Sequence, residues 1–257
     1  MNPVSIGQHF LTNQNIARKM IDLLFPIEGP ILEIGPGKGV LSNLLIKCGK
    51  EQEIILVEMD KDLFRILKKK FRKNCTLINA NILDIQLEHL SLKENIICVG
   101  NIPYYISKDL IDWTIKESKK IQKGIYMMQK EFVDKIIPLK NSKKKNPQAL
   151  MFEYIFLSQK KFDIQPGSFS PPPGVISTVF IFQKRPDRLI LSGQPEFYQF
   201  LKICFSSRRK TLMNTLSKIY KKEKLISIFK NKKISTDIRA EQLELSDFID
   251  IHSQLKD

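Results

Sequence analysis

Four cysteines, three histidines and one tryptophan in 257 residues leave little material for metal or redox chemistry. Cys48, Cys75, Cys98 and Cys204 show no Cys-x-x-Cys spacing, which excludes a zinc ribbon, a dithiol redox motif and a dense disulfide frame. Reduced thiols in a cytoplasmic protein are expected. His9, His89 and His252 are too scattered for a cluster, so no metal is expected. Long apolar runs are also missing. Ala149 to Leu157 is one of the longest and is too short to span a bilayer. Asn2, Gln8 and His9 interrupt the start, which argues against a signal peptide, and no membrane partner is expected. Acids are scarce: 27 Asp and Glu face 42 Lys and Arg, a net charge of +15. Such an excess favours a polyanion such as nucleic acid. A general lysine bias from an AT-rich genome is the competing explanation. What is present is 42% apolar residues, enough to bury a substantial core. The length suits one large domain or a main domain with an appendage.

The first 130 or so residues alternate strand and helix signals. Ile16, Met20, Leu23 and Leu24 share a helical face before Pro26. Strands are expected at Pro30 to Ile34, Glu53 to Glu58, Cys75 to Asn79, Asn95 to Val99 and Gly124 to Met128. Helices are expected at Val40 to Ile46, at Lys61 to Arg72, which is strongly basic, and after Ser107, a candidate cap. This alternation predicts an α/β fold, a parallel sheet with helices on both faces and ligands beyond the carboxyl ends of the strands. After Phe132 the pattern changes. A lysine-rich loop at Asn141 to Asn146 precedes an expected helix from Ala149 to Leu157. Lys161 to Gln165 and Val175 to Gln183 read as an antiparallel hairpin at the sheet edge. Lys184 to Pro195 reads as a linker, which divides the chain into residues 1–184 and 185–257. The second part is helical in pattern. Lys202 to Lys233 holds eleven basic residues against Glu223, a net of +10, whereas residues 234–257 carry −4. A uniform lysine bias does not segregate charge this way. Arg208, Arg209 and Lys210 are its densest point and are candidate phosphate contacts.

Two motifs carry chemistry. Glu33-Ile34-Gly35-Pro36-Gly37-Lys38-Gly39 reads as a strand entering a glycine turn that opens a helix. Gly35 and Gly37 permit positive φ and close backbone approach to a ligand. Val40 stands where a dinucleotide fingerprint places its last glycine, and no Gly-Lys-Ser/Thr follows for a phosphate loop. Glu58 ends the second strand, where a carboxylate can accept both hydroxyls of a ribose, in a dinucleotide or an S-adenosyl-L-methionine site alike. The second motif, Asn101-Ile102-Pro103-Tyr104, is the discriminator. The Asn101 side-chain oxygen and the Ile102 carbonyl can orient the two N–H bonds of an exocyclic amine. Pro103 forces the turn, and Tyr104 offers a stacking face. Phe169, between serines and Pro171 to Pro173, has no evident core to fill and is a second candidate clamp for a flipped base. Together the motifs suggest methyl transfer from S-adenosyl-L-methionine to a nucleobase amine.

With these blocks in order, the chain resembles the ribosomal RNA adenine N6,N6-dimethyltransferases along nearly its whole length. The matching blocks are Gly7 to Leu11, Glu33 to Gly39, Asn101 to Ser107, Gln129 to Glu131, Phe169 to Pro173 and Phe205 to Leu216. The resemblance implies a Rossmann-like S-adenosylmethionine-dependent methyltransferase domain, then a small helical RNA-binding domain. It implies cofactor contacts at His9, Leu11, Gly35 and Glu58, with Asn101 at the methyl-transfer centre. Asn81 stands where relatives usually carry an Asp for the cofactor adenine; its oxygen accepts the same bond without charge. Only six residues precede Gly7, so almost no basic leader is expected. Gln129 to Glu131 and Arg208 to Leu216 look like the branch that dimethylates two adjacent adenines near the 3′ end of small-subunit ribosomal RNA. That implies a monomer acting on a pre-ribosomal particle in ribosome biogenesis. The alternatives are the large-subunit branch that confers macrolide resistance, and a non-catalytic nucleic-acid binder on the same scaffold.

Overall fold

The structure is a computed structural model that describes residues 8–49, 52–90, 95–138, 145–186, 194–207 and 209–256. Most of the expected lysine-rich loop and of the linker lies outside the described residues. The chain packs as two compact units. One holds residues 1–133 and 156–185; the other holds 134–155 and 186–257.

The first unit is a seven-stranded sheet. Its strands are β2 (Ile31–Ile34), β3 (Ile54–Val57), β4 (Thr76–Ile78), β5 (Ile96–Asn101), β6 (Ile121–Gln129), β7 (Phe156–Ile164) and β9 (Ser177–Lys184). A two-stranded ribbon pairs β1 (Phe10–Leu11) with β8 (Phe169–Ser170). The sheet order is β4-β3-β2-β5-β6-β9-β7. Neighbours from β4 to β6 are parallel, and β9 runs antiparallel to both β6 and β7. The expected α/β architecture and edge hairpin are therefore present. The central strands read Ile-Leu-Glu-Ile and Ile-Ile-Leu-Val and are buried throughout, because helices cover both faces.

The chain winds outward from β2 in one direction and resumes at β5 on the other side, so a switch point lies between β2 and β5. Register levels the exits there. Ile34 pairs with Val57, one residue before Glu58, and Glu33 pairs with Val99, two before Asn101.

Four helices complete the parallel half. In α1 (Gln14–Asp22) the Asn13 side chain caps the N–H groups of Asn15 and Ile16, and Ala17, Met20 and Ile21 face the core. Lys123 Nζ donates to the carbonyls of Leu24 and Pro26 just beyond it. The others are α2 (Val40–Cys48), α3 (Lys61–Phe71), capped by Asp60, and α4 (Ser107–Lys116). Ser107 does not cap α4 as expected: Ile106 is the N-cap, and the buried Ser107 hydroxyl finds no partner. A short helix, α5 (Lys130–Ile136), follows β6.

The second unit departs from the expected 1–184/185–257 division. Helix α6 (Pro147–Ile155) packs with α7 (Gln194–Cys204) and α10 (Leu245–Lys256), accompanied by α8 (Leu212–Leu216) and α9 (Lys222–Asn231). The cause is composition. Ala149, Leu150, Met151, Phe152, Tyr154 and Ile155 are all buried, so α6 is apolar nearly all round and needs cover that one sheet face does not give. Tyr154 sits 5.0 Å from Phe197, and Lys145 Nζ donates to the Leu243 carbonyl at 2.9 Å. The helix also ends at Ile155, not Leu157; Phe156 and Leu157 begin β7.

Candidate active site

A cavity of about 380 Å³ opens at the switch point. Its wall includes His9, Leu11, Gly35, Gly37, Glu58, Asn81, Asn101, Ile102, Pro103 and Tyr104, so ten of the sequence-predicted residues meet in one place.

The glycine turn leaves β2 with Gly37 at φ +57 and Gly39 at φ +79. Gly37 donates its N–H to Glu58 Oε2 at 3.0 Å, and Asp60 donates to Oε1 at 2.9 Å. Gly39 carries a packing constraint as well: a Cβ there would stand 2.7 Å from the Phe71 ring of α3. Glu58 is 5% exposed, and burial raises its carboxyl above the usual range against the pull of the Asp60 and Gly37 N–H groups. Each carboxylate oxygen accepts one backbone bond and keeps a lone pair for a ligand.

Asn101 ends β5. Its Nδ2 donates to the His9 carbonyl at 2.9 Å, and the Ile102 N–H donates to the Met127 carbonyl at 3.0 Å. A carbonyl only accepts, so the amide orientation is fixed: nitrogen toward His9, Oδ1 free to accept. His9 is held in turn, with Nδ1 2.7 Å from the Pro171 carbonyl, which places the proton on Nδ1. The Tyr104 hydroxyl lies 2.8 Å from Ser177 Oγ on β9, and its ring is 5.6 Å from His9. Burial raises the Tyr104 phenol, opposed by its bond to Ser177. Asn81 Oδ1 accepts the Leu83 N–H at 3.2 Å, which leaves one lone pair for a ligand amine.

Phe169 is a correction. It is 5% exposed, pairs with Leu11 across the β1–β8 ribbon and belongs to the core cluster with Met20, Ile164 and Val179. It does not line the cavity. Arg209 and Lys210 are exposed on the second unit, and Arg208 lies outside the described residues. Among the described residues no group of three His, Cys, Asp or Glu is placed to hold a metal ion. No helix there is long and apolar enough to cross a membrane.

Sequence reasoning missed two kinds of residue. Ser177, which anchors Tyr104, is separated from it by 73 positions and has no local signature. Glu33 had a signal, a lone carboxylate in an apolar strand. It lines the cavity at 1% exposure, its Oε2 makes no well-aligned hydrogen bond among the described residues, and burial raises its carboxyl to about 8 against the weaker pull of neighbouring Ser42. A raised folded-state pKa means that the stability it contributes is full below about 4.5 and is lost as pH rises through about 8. Glu33→Gln should therefore stabilise the ligand-free protein at pH 8 by about 1–3 kcal/mol, the scale of an uncompensated buried polar group. Urea melts at two pH values check this. Glu58 adds a pH dependence of the same sign. A variant with the parent's stability at pH 8 would mean that the carboxylate is already paired.

The turn, the ribose-type carboxylate and the amide-proline-aromatic corner define a methyltransferase-type α/β site. Residues 2–257 match the family of ribosomal RNA adenine dimethylases, and the chain belongs to it. It is 34% identical over 244 residues, 94% of this chain and 93% of the relative, to the ribosomal RNA small subunit methyltransferase A of Mycoplasma mobile. Among solved structures it is similar to a dimethyladenosine transferase from Plasmodium falciparum, at 23% identity and a TM-score of 0.82, covering 96% of this chain and 98% of that one. It is also similar to the 23S rRNA methyltransferase ErmE, at 19% identity and a TM-score of 0.74, covering 96% and 100%. Proteins named for different ribosomal RNAs thus share this fold, and the fold alone does not select the substrate.

Proposed function

We propose that this chain dimethylates N6 of two adjacent adenines in a hairpin near the 3′ end of small-subunit ribosomal RNA. The observation that carries the chemistry is the locked Asn101 amide, whose free oxygen shares a cavity with the Glu58-bound glycine turn. S-adenosyl-L-methionine supplies the methyl group. The donor set fits it: Glu58 has lone pairs for ribose hydroxyls, Asn81 one for the adenine amine, and the orphaned Glu33 Oε2 a place for an ammonium. Asn101 Oδ1 and the Ile102 carbonyl hold the two N6 protons of the target. That favours sp³ character at nitrogen, so its lone pair is available to carbon. After the first transfer the methylated nitrogen gives up one proton to solvent, and the same two acceptors hold the one that remains for a second round. Tyr104, pinned by Ser177, presents its ring to the base.

Relatives named for the small subunit favour that RNA, as do Gln129 to Glu131 and Arg208 to Leu216. The test is primer extension across the small-subunit 3′ region of unmethylated particles, with and without the protein. Two adjacent stops are expected; stops confined to large-subunit RNA would overturn the choice of substrate.

The basic stretch from Lys202 to Lys233 serves as the phosphate-binding surface of the second unit in this reading. Replacing Arg208, Arg209 and Lys210 with Ala should weaken particle binding and lower the slope of log K against log salt by roughly two to three units, at ~0.7–0.9 per phosphate. Cofactor affinity should hold, since none of the described residues of this stretch lines the cavity. An unchanged slope in a folded variant would reduce the stretch to a solvated face.

A further inference from the structure

We propose that the outer face of α3, on the catalytic unit, is a second docking surface for ribosomal RNA phosphates. This rests on the substrate class given above. Residues 61–73 hold seven basic side chains against one acid, Asp62, a net of +6. They are Lys61, Arg65, the three consecutive lysines from Lys68, Arg72 and Lys73, and all seven are exposed. Of these seven, only Arg65 is ion-paired to a described residue, Asp62, at 2.9 Å. Lys68 and Lys70 lie over the rings of Phe64 and Phe71, at 6.0 and 4.8 Å, which rests their stems on the helix and keeps the ammonium groups at the surface.

Helix stability does not account for this pattern. Cations in the last turn complement the helix dipole, but Lys61 and Arg65 stand in the first half, where a positive charge opposes it. Lys61, Arg65, Lys69 and Arg72 recur at helical spacing, so a basic stripe runs the length of the element. Eleven residues span about 16 Å, enough to follow several consecutive phosphates.

The placement is fixed relative to the site. Helix α3 starts at the cavity, where Asp60 and Leu63 line the wall. Its buried face, Leu67 and Phe71, closes on Gly39 of the glycine turn, with no room for a Cβ between them. RNA lying along the stripe is thus held at a set distance from the cavity into which its target base turns. A membrane is the less suitable partner. The apolar side of α3 is spent on the core, and Ile66 is the one large apolar residue of the helix that is more than half exposed.

The test replaces Lys69, Arg72 and Lys73 with Gln, none of which lines the cavity or belongs to the C-terminal stretch. Binding to purified unmethylated small subunits is measured against salt, separately from methylation. Affinity at moderate salt should fall roughly tenfold or more, with the salt slope lower by about two to three units. Affinity for S-adenosylhomocysteine and methylation of a short hairpin with two adjacent adenines should match the parent. An unchanged particle affinity and slope in the folded variant would overturn the proposal. So would a loss of binding to anionic phospholipid vesicles with particle binding intact. If the parent methylates no RNA, the substrate reading fails, while the binding comparison still decides the role of α3.

Discussion

Asn101→Ala should lower methyl transfer by roughly two to three orders of magnitude, the effect of removing one preorganised polar group at a reacting centre. The geometry sets the expectation. The Asn101 amide is clamped by the His9 carbonyl at 2.9 Å, so the oxygen that faces the base is already oriented before the substrate arrives. Alanine removes that acceptor and leaves the His9 carbonyl without its donor. Gln should not rescue, because one added methylene displaces the oxygen from the end of β5. Asp should fare no better, since one of its oxygens would face the His9 carbonyl. The measurement is single-turnover methylation at saturating cofactor, with the variant's melting curve as a folding check. Affinity for S-adenosylhomocysteine should change by less than about tenfold, because Glu58 and the glycine turn are untouched. Near-normal turnover in the Ala variant would remove Asn101 from the chemistry.

The parts of this site that were legible in the sequence are those in which chemistry is local. Glu33 to Gly39 announces a strand, a turn and a helix within a few residues, and the three positive-φ glycines are where the turn requires them. Asn101 to Tyr104 is likewise contiguous, and the alternation of apolar strands placed both motifs on one edge. What was hidden depends on long-range packing. Nothing near Tyr104 names Ser177, and nothing near residues 134–155 states that they pack with residues 186–257. Ala149 to Leu157 is apolar at every position but Glu153, a pattern that a buried helix and a buried strand share, so the switch at Ile155/Phe156 was not readable. Ser107 fits a capping sequence, yet Pro103 and the short turn at Tyr104–Ile106 start α4 one residue too early for its hydroxyl to reach a free N–H.

Phe169 shows the same limit with an energetic consequence. Small residues and prolines around it suggest an exposed ring, but the pairing of β1 with β8 turns it inward. Phe10 pairs with Ser170 and Leu11 with Phe169, and Thr12 binds the Ser168 carbonyl through both its N–H, at 2.9 Å, and its hydroxyl, at 3.0 Å. The ring then fills space beside Leu11, Met20, Ile164 and Val179. Phe169→Ala should therefore cost about 3–5 kcal/mol of stability, the range for emptying a buried aromatic site. The loss should spread to the cavity. The ribbon that Phe169 anchors carries His9, whose ring rests on the Pro171 carbonyl and whose own carbonyl clamps Asn101. Cofactor affinity should fall together with the urea midpoint, and Phe169→Leu should recover most of both, because it restores volume without an aromatic face. A role in stacking gives the opposite pattern: a loss of roughly 1–3 kcal/mol in RNA binding, unchanged stability and no rescue by Leu. Urea melts on the two variants, read beside cofactor and RNA titrations, separate these outcomes, because only the packing role ties the ring to the amide at Asn101.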